Sequence, residues 1–395
     1  MIRIYDQFFA TPQSQQLKTV FGILKHRQHT CDQYQFVEST DKPYIILLAI
    51  DCASVVSSDV INEIVRIYNS SPAVSLIIDT TLEAFVNDAF YFATSILEAK
   101  GIKSSDITVI TSEQNSEVFA DMFCIRYKVK SINMFELYYL QSLEQNLESN
   151  YILNAPIRPR KLAKHFIDYK KNPRFTRKMF NAFMRVNDYD HIAYYSWHKS
   201  NGYSLEDNEA LKRLGIIPFD TDLRQVLPKL NSTVFSKRSD HDFDEWALPD
   251  NVCKSGGINL VHETCPHIKE YSDIAAYPYD STRLFLTEKV YKNFAYGIPM
   301  LSPGIPGFER MLSDYNYKTW ASFFDVKISD SSDYANNIKE YLKLITHIAE
   351  MPISDLEDLL NSEQSLNYCK HNKTIFLEQH EFLRLLDVLQ NAFDK

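Results

Sequence analysis

Four polar side chains within the segment 284–292 have the types and spacing that binding a nucleoside diphosphate requires. Thr287 has the character of a helix N-cap, and Glu288 follows in the first turn, where a carboxylate is favoured. Glu288 and Lys292 are four residues apart and share one helix face, with Lys289 on the adjoining face. The amides of a helix N-terminus and two lysines suit a pyrophosphate, and a neighbouring carboxylate can accept both ribose hydroxyls. The structural alternative is a solvated Glu–Lys pair, which is common on helices.

The elements around this segment predict how it is positioned. The residue pattern predicts a strand at Gly257–Glu263, a helix at Thr287–Gly297 and a second strand at Ile298–Ser302. This β-α-β order is typical of a parallel sheet covered by helices. Glu263, at the end of the first strand, is then expected to line a cleft beside the sugar of a nucleotide sugar.

The first ~150 residues alternate strand-like and helix-like segments in the same way. Apolar runs and helical spacing predict strands at Pro43–Asp51, Ala73–Asp79 and Asp106–Thr111, and helices at Ser57–Tyr68 and at Phe85–Lys100, which Gly101 closes. Asp51 and Asp79 end two of these strands and should lie at the edge where parallel sheets bind ligands. Either carboxylate could serve as the general base towards an acceptor hydroxyl, although carboxylates at strand ends more often cap helices or form turns.

Two prolines in Ala155–Pro159 break this alternation, so we place a domain boundary after Asn154. We expect an α/β protein with two Rossmann-type domains, residues 1–154 and 155–395, the second ending in a helical tail over Ser331–Asp394. The second domain opens with Ile157–Phe180, which holds nine Lys or Arg against one acid, although the whole chain carries −9. This basic stripe is either an anion-binding surface or a solvated helix face.

The composition excludes several classes of protein. Hydrophobic residues make up 45% and charged residues 24%, as in a folded globular chain, and the nine glycines form no dinucleotide-binding fingerprint. The six cysteines form no C-x-x-C pair, which argues against a disulfide scaffold or a zinc ribbon. Because neither a signal-like leader nor an apolar run of about 18 residues occurs, we expect a cytoplasmic protein without a membrane partner. If the protein is viral, this means the host cytoplasm.

Two patterns could suggest a metal. Asp220 and Asp222 form a D-x-D, which holds Mg²⁺ or Mn²⁺ in single-Rossmann transferases, but three-residue acidic patterns are frequent by chance. His262 and His267 flank a short segment whose spacing matches no common zinc site. We therefore expect neither pattern to bind a metal.

Three stretches of the second half, taken together, resemble a glycosyltransferase family of phages and giant viruses. They are Gly257–Thr264, Leu284–Phe308 with its T-E-K-x-x-K helix and G-x-P-G turn, and Tyr315–Asp325. The helix and the following strand are also similar to the nucleotide-sugar half of α1,3-fucosyltransferases and exostosin-like enzymes. Those enzymes have the GT-B fold, in which two Rossmann-type domains face each other across a cleft. Phe166–Lys178 and Ala193–Trp197 resemble the family's basic segment and the aromatic strand after it.

The resemblance implies roles for individual residues. Glu288 would contact the ribose and Lys289 the phosphates of the donor, with Lys292 a looser match. Arg174 or Arg177 from the basic stripe could reach the diphosphate. Because these cations and a helix dipole would stabilise the leaving nucleoside diphosphate, no metal cofactor is expected.

The sequence therefore predicts a glycosyltransferase that moves a hexosyl or pentosyl group from a nucleoside diphosphate sugar, UDP being the expected carrier, to an acceptor hydroxyl. The viral resemblance and the basic stripe favour a hydroxymethylated pyrimidine in duplex phage DNA, which would have to be flipped out of the helix. A glycan or protein acceptor is one alternative. A non-catalytic nucleotide-binding or nucleic-acid-binding module is another.

Overall fold

The computed structural model describes residues 1–12, 14, 16–38, 42–51, 55–70, 74–81, 88–112, 126–145, 150–169, 175–196, 205–223, 250–262, 286–302, 307–326 and 334–394. By its internal contacts the chain divides into two compact units. The first unit comprises Met1–Asn146, Thr282–Glu288 and Glu378–Lys395, and the second comprises Leu147–Ser281 and Lys289–Leu377. The division falls at Asn146, somewhat before the predicted boundary at Asn154.

Strands and helices alternate in the described part of residues 1–145. In chain order they are β1 (Ile2–Tyr5), β2 (Phe9–Ala10), α1 (Val20–Arg27), β3 (Tyr34–Val37), β4 (Tyr44–Ala49), α2 (Ser58–Ser70), β5 (Val74–Asp79), α3 (Asp88–Ala99), β6 (Ile107–Thr111), β7 (Lys128–Ser131) and α4 (Met134–Gln145). The predicted strands and helices of this region are confirmed to within a few residues, except where the helix from Phe85 begins outside the described residues.

The later described residues begin in the same alternating manner and end in helices. In chain order they form α5 (Tyr151–Asn154), β8 (Lys164–Tyr169), α6 (Phe175–Val186), β9 (Ala193–Ser196), α7 (Leu205–Arg213), α8 (Asp250–Ser255), β10 (Gly256–Leu260), α9 (Glu288–Tyr296), β11 (Met300–Leu301), α10 (Phe308–Asp314), α11 (Trp320–Phe323), α12 (Tyr334–Glu350), α13 (Ile353–Leu360), α14 (Glu363–Glu378) and α15 (His380–Phe393). No helix in the described ranges has the length and apolar character needed to cross a membrane.

The first sheet is parallel, with the strand order β3-β1-β4-β5-β6-β7 and β2 paired with β4 beside β1. All six residues of β4 are buried, because helices cover both faces of a doubly wound sheet. The order in which the strands are added reverses between β1 and β4, and this reversal is the switch point at which such sheets bind ligands. Thr11 and Asp51 follow the two strands that end there, β2 and β4.

The last helix, α15, is part of the first unit, whereas the sequence placed the whole helical tail in the second domain. The buried face of α15 includes Leu385 and Leu389, and the helix contacts β1, β4, β5 and α4. The Glu381 carboxylate accepts a hydrogen bond from the Asn133 amide at 2.6 Å, and the Ser75 hydroxyl donates to the Ala392 carbonyl at 2.6 Å. Tertiary packing thus places the last helix of the tail in the first unit, which helical periodicity could not predict.

The second sheet is also parallel, in the order β11-β10-β8-β9, so its switch point lies between β8 and β10. A Cβ at Gly257 would lie 2.3 Å from the His165 carbonyl oxygen, so only glycine allows the two strands to approach this closely. The Arg160 guanidinium donates to the Gly256 carbonyl at 2.8 Å, and burial lowers the pKa of Arg160. The start of β10 is therefore bound both by strand β8 and by the Arg160 side chain.

The prediction of an α/β fold built on parallel sheets is confirmed. The GT-B architecture of two Rossmann-type domains across a cleft stays a prediction. Strand β10 ends at Leu260, short of the predicted Glu263, which lies outside the described residues. Strand β8 lies inside the basic stripe, where the sequence analysis predicted no strand.

Replacing Gly257 by alanine should destabilise the second unit, because the new methyl group would overlap the backbone carbonyl of His165. We expect the free energy of unfolding to fall by about 1–3 kcal/mol, as for other overpacked sites, measured by urea denaturation. Gly256→Ala should cost less, because the closest atoms there, at 2.4 and 2.7 Å, belong to the Ile167 side chain, and the nearest backbone atom, the Val252 carbonyl oxygen, is 2.9 Å away instead of 2.3 Å. Equal stability of Gly257→Ala and the unaltered protein would contradict this account of the strand pairing.

Candidate functional site

A buried acid–base pair lies at the switch point of the second sheet. The Oδ1 atom of Asp168, near the end of β8, is 3.0 Å from Nε2 of His262, which follows β10. Their side chains are 0 and 2% exposed. The register pairs Phe166 with Ile258, so Asp168 and His262 project from the same face of the sheet. Titratable groups buried at a switch point are typical of ligand sites, although structural ion pairs also occur.

A buried cation joins this pair. Arg177 lies in the first turn of α6, directly after β8, and its Nη2 donates to the His262 carbonyl oxygen at 3.3 Å. The ring of Phe180, one turn later, packs on the His262 ring with 5.2 Å between centroids. Arg177 is 5% exposed. Of the two arginines predicted to reach a diphosphate, Arg177 thus belongs to the switch point, and Arg174 lies outside the described residues.

The helix predicted to bind the diphosphate is α9, and its predicted bounds are confirmed. It begins at Glu288, so Thr287 occupies the N-cap position, and it ends before Gly297, whose φ of 65° is left-handed. The amide of Ile298 donates to the Asn293 carbonyl at 2.9 Å and that of Gly297 donates to the Phe294 carbonyl at 3.3 Å. These two bonds form a Schellman motif, which stops a helix and turns the chain into the next strand.

Asn293 fixes α9 on the sheet. Its Oδ1 accepts from Asn259 Nδ2 of β10 at 2.7 Å, and its own Nδ2 donates to the Lys289 carbonyl at 2.7 Å. Because α9 connects β10 to the start of β11, its N-terminal turn lies at the carboxyl edge of the sheet. The side chains of Lys289 and Lys292 are half-buried and Thr287 is buried, whereas the Glu288 side chain lies outside what is described.

Helices α6 and α9 cover opposite faces of this sheet. Asn259 faces α9, and the neighbouring Ile167 packs with Ile298 and Tyr296, next to the end of that helix. Asp168 and His262 face α6. The end of β10 therefore has the buried pair and Arg177 on one side and the first turn of α9 on the other.

Asp79, one of the two candidate general bases, caps a helix. Its Oδ2 accepts from the Val20 amide at 2.7 Å, at the N-terminus of α1. Its Oδ1 accepts from the amide and the hydroxyl of Thr81, at 3.0 and 2.6 Å. The residue is 4% exposed, and burial raises the pKa of the Asp79 carboxyl. This is the structural role that the sequence analysis set beside the catalytic one.

Asp51, the other candidate base, is half-buried just beyond β4, at the switch point of the first sheet. Its amide donates to the Thr11 hydroxyl oxygen at 3.1 Å, which also lies 2.8 Å from the Ser14 hydroxyl. The Thr11 amide in turn donates to the Ala49 carbonyl at 3.0 Å. Asp51 is thus held by its backbone at the edge where a ligand of the first sheet would bind.

Most of the described cations of the basic stripe bind other groups of the protein. Lys170, Lys171 and Arg174 lie outside the described residues. Five of the other six cations bind groups of the second unit: Arg160 the Gly256 carbonyl, Lys161 the Glu357 carboxylate, Lys164 the His191 carbonyl, Arg177 the His262 carbonyl and Lys178 the Asp207 carboxylate. These five cations therefore have partners within the protein itself.

Within the described ranges, no group of three or more His, Cys, Asp or Glu side chains is placed to hold a metal ion. Asp220 is exposed and Asp222 is half-buried in the segment after α7. The expectation that the protein needs no metal stays a prediction.

Comparison of the chain with protein-family models, with curated proteins and with solved structures gives no match. The candidate site therefore rests on geometry alone. Sequence reasoning missed Asp168 and considered His262 only as a metal ligand. The one available signal was that Asp168 is the single acid of the basic stripe.

Removing one member of the buried pair should destabilise the second unit. His262→Ala leaves the Asp168 carboxylate buried without the imidazole, so we expect a loss of about 3–5 kcal/mol in the free energy of unfolding. Asp168→Asn should cost less, because the amide oxygen can still accept from the ring. A double-mutant cycle of His262→Ala with Asp168→Ala, followed by urea denaturation, measures the coupling, and strictly additive effects would show that the two side chains do not interact.

Proposed function

We propose that this protein is a glycosyltransferase whose second unit binds a nucleoside diphosphate sugar at the switch point between β8 and β10. The single observation that supports it most is the buried Arg177 beside the Asp168–His262 pair at that point. A buried guanidinium at the ligand-binding edge of a parallel sheet suits an anionic group. The T-E-K-x-x-K resemblance, in the adjoining helix α9, supplies the identity of that anion.

The two units differ in how they use their helix N-termini, and this difference supports placing the donor in the second. In the first unit, the N-terminal amide of α1 already binds the carboxylate of Asp79. An internal anion thus occupies the position that a phosphate would take. In the second unit, Lys289 and Lys292 lie with Glu288 in the first two turns of α9, so the start of that helix carries a net positive charge.

The proposed reaction breaks the bond between the anomeric carbon and the diphosphate. Negative charge then grows on the leaving nucleoside diphosphate while the sugar becomes oxocarbenium-like. Arg177, Lys289 and the dipole of α9 would stabilise that charge. All three are in position before the reaction begins, so no reorganisation is needed during the reaction. We retain the contacts expected from the sequence: Glu288 would bind the ribose and Glu263 would lie beside the sugar. Thr287 is the N-cap residue of α9.

An acceptor hydroxyl must lose its proton if the reaction inverts the anomeric centre, and we propose Asp51 as the base. Asp51 is half-buried at the switch point of the first sheet, whereas Asp79 is 4% exposed and caps α1. The buried Asp79 is better suited to fixing α1 than to exchanging protons with a substrate.

The acceptor is proposed only as a hydroxyl compound. The hydroxymethylated base of duplex DNA that the sequence favoured gains little support from the basic stripe, because five of its six described cations bind groups of the second unit. A glycan or protein hydroxyl fits equally well. DNA binding that weakens steeply with salt would support the hypothesis of a DNA acceptor, because phosphate contacts have this salt dependence.

Arg177→Ala should weaken binding of UDP by about 10- to 100-fold, because hydrogen bonds to charged groups are worth about 1.5–3 kcal/mol. The dissociation constant would be measured by calorimetry, after circular dichroism shows that the variant is folded. Arg185→Ala is the matched control, because Arg185 lies on the same helix and bonds Asn181 instead. It should leave UDP affinity unchanged.

The proposal as a whole is tested by a thermal-shift panel of nucleotide sugars with the unaltered protein, followed by hydrolysis of whichever sugar binds. A ligand that binds only the folded state raises its melting temperature. If no nucleotide sugar shifts the melting temperature or is hydrolysed, the transferase proposal fails and a non-catalytic module takes its place.

Asp51→Asn should lower kcat by at least about 100-fold while leaving the dissociation constant of UDP unchanged, because general bases contribute about 10²–10⁴ to rate. Turnover would be followed as UDP release from the nucleotide sugar identified by the panel. Asp79→Asn provides the contrast: it should lower the melting temperature, because the cap of α1 is weakened. Normal turnover by Asp51→Asn would exclude this residue as the base.

A further inference from the structure

Ser302, directly after β11, has a buried hydroxyl group that forms no hydrogen bond with the described residues. The residue is 1% exposed, and its Oγ has no hydrogen-bond partner among the described residues. A buried hydroxyl left without a partner costs about 1–3 kcal/mol relative to one that is bonded. The Ser302 hydroxyl is therefore available to bond a ligand.

The direction of the Ser302 side chain follows from its neighbours. The Sδ atom of Met300 lies 3.5 Å from Asn293 Nδ2, so Met300 faces α9. The Val261 amide donates to the Leu301 carbonyl at 2.8 Å, which extends the strand pairing to the residue before Ser302. Ser302 is the first residue beyond β11, and continuing the alternation of that strand by one residue puts it on the same face as Met300, towards α9.

Ser302 also lies at the right height along α9. Two residues of strand advance about 6.6 Å towards the carboxyl edge, and four residues of helix advance about 6 Å. Because α9 runs against the strands, the step from Met300 to Ser302 matches the step from Asn293 back to Lys289. Ser302 therefore lies level with the first turn of α9.

We propose that Ser302 donates a hydrogen bond to a phosphate oxygen of the bound donor, at the N-terminal turn of α9. The helix amides and Lys289 supply positive charge there, and the serine adds a directional donor from the sheet. The inference rests on the proposed function for the identity of the ligand. The chemistry itself requires only a phosphate-type anion.

The test measures binding of inorganic pyrophosphate and of UDP to the unaltered protein and to Ser302→Ala by calorimetry. We expect the affinity for both to fall about tenfold in the variant, since a hydrogen bond to a charged group is lost. Its melting temperature should stay the same or rise, because no intramolecular bond is removed.

Ser365→Ala is the matched control. Ser365 is as deeply buried, but its hydroxyl donates to the Leu360 carbonyl at 2.7 Å. This variant should lose melting temperature and keep its affinity for pyrophosphate, which separates loss of a ligand contact from loss of packing.

Equal affinities of Ser302→Ala and the unaltered protein would overturn the inference, as would a lack of binding of both pyrophosphate and UDP. If pyrophosphate binds through Ser302 while no nucleotide sugar binds or is hydrolysed, the anion site stands and the transferase proposal fails. The two hypotheses therefore fail on different measurements.

Discussion

The pairing of β8 with β10 is the interaction on which the candidate site depends. At Gly257 the two backbones approach so closely that a Cβ would lie 2.3 Å from a carbonyl oxygen. This pairing puts the reversal of strand order between β8 and β10, and the two crossover helices α6 and α9 consequently cover opposite faces. Asp168, His262 and Arg177 then meet on one side of β10, and the first turn of α9 lies on the other.

The two units differ in the charged groups that lie at the N-termini of helices α1 and α9. A chain with a net charge of −9 places a buried carboxylate, Asp79, at the N-terminus of α1, where it satisfies an amide and leaves little attraction for an external anion. In the second unit the helix that follows β10 carries Lys289 and Lys292 in its first two turns instead. The proposal that a nucleotide sugar binds the second unit depends on this contrast more than on the number of cations.

The basic stripe shows why a local excess of charge is an uncertain sign of a nucleic-acid surface. It contains β8, the start of α6 and the chain that leads into β8, which are elements at the centre of the second sheet. Its cations reach backbone carbonyls and carboxylates of that unit, as Arg160 does at the start of β10 and Lys178 does at Asp207. The described cations of the stripe thus mainly bind groups of the second unit, and Arg177 is the one among them that reaches the switch point.

The sequence by itself determined the elements whose signals are local. Strand β4 is a continuous apolar run, β5 and β6 are largely apolar, and α9 is bounded by Thr287 and Gly297, so periodicity and capping were enough to place them. Only the tertiary structure decided what depends on distant partners. Asp168 and His262 are 94 residues apart, β8 lacks a long apolar run, and Asp79 caps a helix 59 residues earlier. Helix α15 belongs to the first unit for the same reason, because its partners include strands more than 300 residues away.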